Sequence, residues 1–400
     1  MSQVKNFAWP VTSVNREDYD ALMQCVNNHR AELSTIVIFG AGIRGTEFSV
    51  ILKKCGYKDI YFVDNNPQKW GGRIHEFPIM SPDELCKRRT EIKIIISTEH
   101  SSEIEKQLSE MGFVAEKDFY TVKSDLYEKY MNEFRRNYSG NVLLLADCEF
   151  SKIALKDSNT RNLAEMLKDR VNKNDLKILA MHGMGLRAYY NIFKSQITLG
   201  MKPKLLVVMV NFDTLTPKQY LLPRSQHAEL IQMVYEETPV KDEELEEYRS
   251  IVWERIKNLQ TEFSIASNCN EEIAILNRNK IYLKMNYLYS LNTELEGVQY
   301  LVKILRLAKK EGVKVVPYIP AINYMLGEEL LGEQFTTRYQ KNVSKIRMIT
   351  EDENVELFDM SYLLSKDFFS DKDSPDETIN ERGRERLAEL FATKIEEALK

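Results

Sequence analysis

The spacing of apolar positions changes along the chain, and the changes mark its elements. Over residues 15–33, Tyr19, Leu22, Met23, Val26 and Leu33 recur mostly at helical spacing and predict a leading helix. TIVIFG at 35–40 is a β-branched run ending in glycine, and residues 46–55 return to a helical period. DIYFVD at 59–64 and IKIIIS at 92–97 read as further strands, and SSEIEKQLSEMG at 101–112 as a helix. Strands alternating with helices predict an α/β unit with a parallel sheet.

SDLYEKYMNEFRRNY at 124–138 reads as a charged helix, and Ser139-Gly140-Asn141 as a breaker. The domain boundary is expected there: a leading helix over 1–33, a first domain over 34–139 with the charged helix trailing it, and a second domain over 140–400. The second begins again in the α/β manner, with strand candidates VLLLA at 142–146, KILAM at 177–181, LLVVMV at 205–210, VKVVPYI at 313–319 and VELFD at 355–359. Between the third and fourth, charged helical patterning such as KDEELEEYRSIVWERIKNLQ at 241–260 predicts a helical insertion over about 216–300.

The 400 residues agree with more than one domain, and 43% apolar against 29% charged residues exclude a disordered chain. With 55 basic and 60 acidic side chains interspersed, no footprint for nucleic acid emerges. Five widely spaced cysteines without a CxxC pair imply free thiols in a reducing compartment and no structural metal site. No stretch reaches the length of a membrane span and the first residues carry no apolar signal core, so a cytoplasmic location is expected.

Two constellations carry chemistry. IVIFGAGIRGTEF places Gly40, Gly42 and Gly45 in a GxGxxG pattern between strand and helix. There Gly40 permits a tight turn, Gly42 lets a phosphate approach the backbone, and Gly45 packs helix on strand. Asp64, at the end of the next strand, is placed to accept ribose hydroxyls, with Asn65 beside it. The alternative is that the glycines serve the turn alone. In the second constellation, Cys148 follows strand VLLLA, where open α/β sheets form their sites, so it is either a nucleophile activated by the following helix start or a small buried residue.

IFGAGIRGTEFSVILKKCGYKDIYFVDNNPQKWGGRIHEFPIMSPDEL resembles the small Rossmann-like domain fused to bacterial sugar-modifying enzymes, over roughly 34–123, with DNNPQKWG its most specific part. That resemblance implies a nucleotide-sugar or similar nucleotide as ligand, or none. Residues 141–400 resemble the SGNH hydrolase superfamily, in its acyl-transfer branch of cell-surface and capsule polysaccharide pathways. The resemblance implies a flavodoxin-like three-layer α/β/α fold. LLLADCEFSKIAL stands at the family's first block, matching Asp147 to its aspartate and Cys148 to its serine nucleophile. Gly183 in AMHGMGLRAYY matches the oxyanion-hole glycine, Asn211 in VVMVNFDTL is a displaced oxyanion donor, and FFSDKDSPDETINERGRERLAEL looks like the last block.

Departures from the pattern change the expected chemistry. Thr378 stands where the catalytic histidine would be, leaving Asp376 and Glu377 to replace the missing acid and base, with His182 better placed than His227 as another base. Arg187 and Arg224 are candidates for holding a phosphate or carboxylate, while KIYLKMNYLYSLN at 280–292 and Tyr318, Pro320, Asn323 and Tyr324 are candidates for bordering a sugar site.

The expected function is a bacterial surface-glycan enzyme that transfers or removes an acyl-type ester on a nucleotide-linked or lipid-linked sugar. Its expected partners are that small-molecule or glycan precursor and membrane glycan-assembly proteins. Two alternatives stay open. One is a non-catalytic sugar- or nucleotide-binding protein of an assembly complex. The other is a phosphoryl-type transferase with a metal held by Asp147, Asp376 and Glu377.

Overall fold

A computed structural model describes residues 5–7, 11–88, 92–98, 101–123, 126–172, 175–216, 228–238, 271–375 and 377–400. Asp376, Arg224, His227, Cys269 and the segment 241–260 lie outside them. The chain divides into two compact α/β units, Met1–Asp125 with Ala154–Lys156, and Leu126–Ile153 with Asp157–Lys400.

In the first unit the predicted strands form at Ile36–Phe39, Ile60–Val63 and Lys93–Ile96, followed by helices Ile43–Lys54 and Ser101–Glu110 after the first and third of them. The six-stranded sheet runs in the order Arg73–Ile74, Phe77–Met80, Ile60–Val63, Ile36–Phe39, Lys93–Ile96, Phe119–Thr121. Every pairing is parallel except that of the two-residue edge strand. The leading helix spans Arg16–Asn28 and buries Leu22 and Val26. Strand Phe77–Met80 escapes the apolar pattern because Pro78, exposed and without an N–H, interrupts it.

The second unit carries an all-parallel sheet in the order Leu176–Ala180, Val142–Ala146, Leu205–Met209, Lys314–Ile319, Phe358–Asp359. In chain order this is 2-1-3-4-5, the doubly wound order with its switch point between first and third strands. Strand Val142–Ala146 is buried along its whole length, as a central strand covered on both faces must be. The charged helix forms over Leu126–Arg135 but belongs to this unit rather than trailing the first. It buries Tyr130, Met131 and Phe134, and its chain carries the Phe134 carbonyl to the buried Lys177 ammonium at 2.8 Å.

The Asn-x-x-Gly of the last block has a local cause. Asn380 caps the final helix, Glu381–Leu399, by accepting from Gly383 N at 3.1 Å. A Cβ on Gly383 would lie 2.1 Å from Ile379 Cγ2 and 2.6 Å from the Phe368 carbonyl oxygen, so the helix start tolerates no side chain there. One turn on, Arg384 is fully buried and pairs with Asp157 at 2.7 Å, while its other N–H groups donate to the carbonyls of Ile379, Arg161 and Asn159.

Candidate functional site

Asp147 and Asn211 leave the carboxyl ends of the first and third strands of the second unit, side by side at the switch point. The Asn211 amide spends both hydrogens on carboxylates: Nδ2 donates to Asp147 Oδ2 at 3.0 Å and to Glu377 Oε2 at 2.9 Å. Its Oδ1 accepts from Asp213 N at 3.2 Å. The first-strand and last blocks therefore meet through one side chain. Asn211 is thereby committed to two acids, which corrects its expected role as a free oxyanion donor.

Four acids gather here. Asp147 accepts from Glu149 N at 3.0 Å and from Asn211, and the Cys148 thiol also bonds to it. Burial raises Asp147, and these donors with the Lys152 charge oppose the rise. Glu377 is pushed well up by burial and then by Asp213 and Asp147, opposed by the Tyr287 hydroxyl and Asn211. Asp213 is raised to about 7 by burial and by Asp147, and its Oδ1 is sealed from solvent without a hydrogen-bond partner. Glu149 is buried and raised by the same two causes, with Tyr318 Oη 3.5 Å away. At neutral pH such a set holds protons, because adjacent buried carboxylates cannot all ionise.

Of the two readings of Cys148, a nucleophile or a small buried residue, its surroundings disfavour a standing thiolate. Burial pushes it well above the ordinary thiol value, followed by the charges of Asp147, Glu377 and Asp213, with Lys152 opposing. The helix that was to activate it is a single turn, Cys148–Ser151, too short for an appreciable dipole. At pH 7.5 iodoacetamide is expected to modify the exposed Cys86 at least about tenfold faster than Cys148, followed by peptide mass spectrometry. Equal rates would show that Cys148 is a reactive thiolate.

The remaining candidates separate. Gly183 adopts φ 68 in the turn after the second strand, where His182 is exposed. Thr378 is buried. Arg187 pairs with Glu296 at 2.5 Å, which removes the reason to assign it a phosphate. Asn323 holds the last block's approach, donating to the carbonyls of Lys372 and Ser374 at 3.0 and 3.2 Å. Tyr318 is buried edge-on to Phe391 and Tyr324 lies near Tyr362, so neither is an open sugar platform. Among the described residues no group of three or more acids, histidines and cysteines has the placement to hold a metal ion. Asp213 and Lys152 were not readable as site residues, because one follows a strand-end turn and the other sits among ordinary charged positions.

In the first unit, Gly40 takes φ 115, and a Cβ on Gly45 would lie 2.0 Å from the Gly40 carbonyl oxygen, so this turn requires both glycines. Gly42 faces open space and caps helix Ile43–Lys54 without a side-chain bond. Asp64, however, turns back onto the loop: Oδ2 accepts from Ala41 N and Lys69 Nζ, both at 2.9 Å, and Oδ1 from Asn66 N at 2.8 Å. Asn65 exchanges amide bonds with Gln107 at 2.8 and 3.0 Å.

Both units are α/β with parallel sheets, and the acid cluster sits where such sheets place their sites. Residues 32–118 match a family model described as C2185-like, N-terminal. No curated protein matches the chain. Among solved structures, a candidate acylhydrolase from Bacteroides fragilis is 10% identical, with a TM-score of 0.36 over 69% of this chain and 98% of that one. An alpha/beta hydrolase from the metagenome of Lake Arreo, Spain, is 10% identical, with a TM-score of 0.31 over 65% and 97%. An acetylxylan esterase from Geobacillus stearothermophilus is 10% identical, with a TM-score of 0.33 over 65% and 96%. Among the described residues no helix is long and apolar enough to cross a membrane.

Proposed function

We propose that the chain is an SGNH-like enzyme that removes or transfers an acyl-type ester on a glycan precursor, using carboxyl groups where the superfamily uses a nucleophile and a histidine. The observation that carries this reading is the Asn211 bridge between Asp147 and Glu377. Asp147, with the most donors around it, is the carboxylate that takes the proton of the attacking water or sugar hydroxyl as oxygen bonds to the ester carbon. Asp213, poised near neutrality, returns a proton to the departing sugar oxygen as the ester bond breaks. Glu377 and Asn211 orient Asp147, and Gly183 N–H is the oxyanion donor. The first unit, through Gly40–Gly45, takes a nucleotide-type ligand, and the protein works in the cytoplasm beside the membrane glycan-assembly machinery.

The test is to express Asp147→Asn, Glu377→Gln and Cys148→Ala in a strain lacking the native protein and to follow surface-glycan substituents by mass spectrometry. Loss with the two carboxyl variants and retention with Cys148→Ala is expected, since general acid–base groups are worth about 10²–10⁴ in rate. Wild-type substituents from both carboxyl variants overturn the reading in favour of a binding protein, a role that the buried Thr378 also suits.

A further inference from the structure

The insertion returns to the sheet through helix Glu271–Tyr287, and this helix with the residues just after it makes three separate ties around the acid cluster. Asn279 Nδ2 donates to the Asp373 carbonyl at 2.9 Å, in the approach to Glu377. The Tyr287 hydroxyl donates to Glu377 Oε1. Tyr289 Oη donates to the Phe212 carbonyl at 2.8 Å, between Asn211 and Asp213. The segment is fixed in turn by Asn342, whose Nδ2 donates to the carbonyls of Tyr287 and Tyr289 at 3.1 and 3.0 Å. One stretch of the insertion thus grips both the third-strand loop and the last block.

We infer that Tyr287 is a positioning residue that locks the Glu377 carboxyl in its pairing with Asn211 and Asp147, making the insertion a structural part of the site. This rests on the reading that Asp147 and Glu377 are a working pair. The geometry makes Glu377 a carboxyl held at both oxygens: Asn211 takes Oε2 and Tyr287 takes Oε1. Tyr287 is itself seated in a buried ring cluster, edge-on to Phe335 and Tyr339 with ring centroids 6.4 and 5.9 Å apart. The groups that act on Glu377 are Asp213 and Asp147 from the third and first strand ends, Tyr287 from the insertion and Asn211. Cys148 and Tyr339 in turn feel the Glu377 charge, and Lys152 reaches the cluster through Asp147 and Asp213. Removing a hydroxyl that favours the carboxylate raises the pH at which Glu377 ionises.

The experiment is a carboxyl-¹³C titration of full-length protein labelled at glutamate, with the Glu377 signal assigned by its loss in Glu377→Gln. In Tyr287→Phe its midpoint is expected to move up by about one pH unit, the worth of a hydrogen bond to a charged group, while Tyr282→Phe leaves it in place. An unmoved midpoint in Tyr287→Phe overturns the inference. If that variant does not fold, Asn279→Ala with Tyr289→Phe cuts the flanking ties, and the Glu377 midpoint must shift there or the inference fails. A moved midpoint with unaltered glycan in Glu377→Gln would defeat the proposed chemistry and leave the positioning role standing.

Discussion

Replacing Arg384 by methionine is expected to cost the second unit about 3–5 kcal/mol in urea denaturation, the penalty of leaving a buried charge without its partner. Asp157, almost as buried as Arg384, would keep its charge, and the carbonyls of Ile379, Arg161 and Asn159 would lose their donors. Asp157→Asn with Arg384→Met should recover part of the loss, because no unpaired charge then remains. A single-variant loss below about 1 kcal/mol would mean that solvent reaches the pair. Arg384 ties the final helix to residues 157–161, just before helix Leu163–Arg170, and Glu381 Oε2 adds bonds from Ser158 N and Asn159 N at 2.9 and 2.7 Å.

Asp213→Asn is expected to stabilise the protein at alkaline pH. The sign follows from linkage. A carboxyl at about 7 in the folded state, against 3.8 otherwise, makes the native protein hold an extra proton between those values. Stability therefore falls as pH rises from about 4 to 7, and the deficit persists above 7. Asparagine carries no such deficit and still offers an oxygen to Thr214 N–H. The variant should match wild type near pH 4 and exceed it by up to about 4 kcal/mol at pH 8, as measured by urea midpoints. A pH-independent difference would place the proton elsewhere in the cluster. Combined with loss of ester chemistry, the gain would mark Asp213 as a residue kept at a cost to the fold.

The strands were legible because short apolar runs, β-branched in TIVIFG and leucine-rich in VLLLA, need no distant context to read as buried strands. Phe119–Thr121 is three residues long among charged neighbours and gave no such run. Helix Leu126–Arg135 was legible as a helix but not in its allegiance, since amphipathicity shows that a face is buried and not against which sheet it lies. At the site, Asp147, Asn211 and Glu377 came from block resemblance, yet their bonding did not. Sequence shows a carboxamide beside a strand, not how its two hydrogens are shared. Tyr287 lay in an aromatic run that suits a helix core equally well, and its 90-residue separation from Glu377 is closed only by the fold.

The Asp64 arrangement has a consequence for any nucleotide that reaches the glycine turn. An ionised carboxylate offers about four lone-pair positions, and Ala41 N, Asn66 N and Lys69 Nζ already occupy three. A ribose diol needs two acceptor positions for a paired grip, so Asp64 can hold one hydroxyl while Lys69 stays. Ribose and deoxyribose ligands should then differ little in affinity, and a salt concentration that loosens the Lys69 ion pair should widen the gap between them.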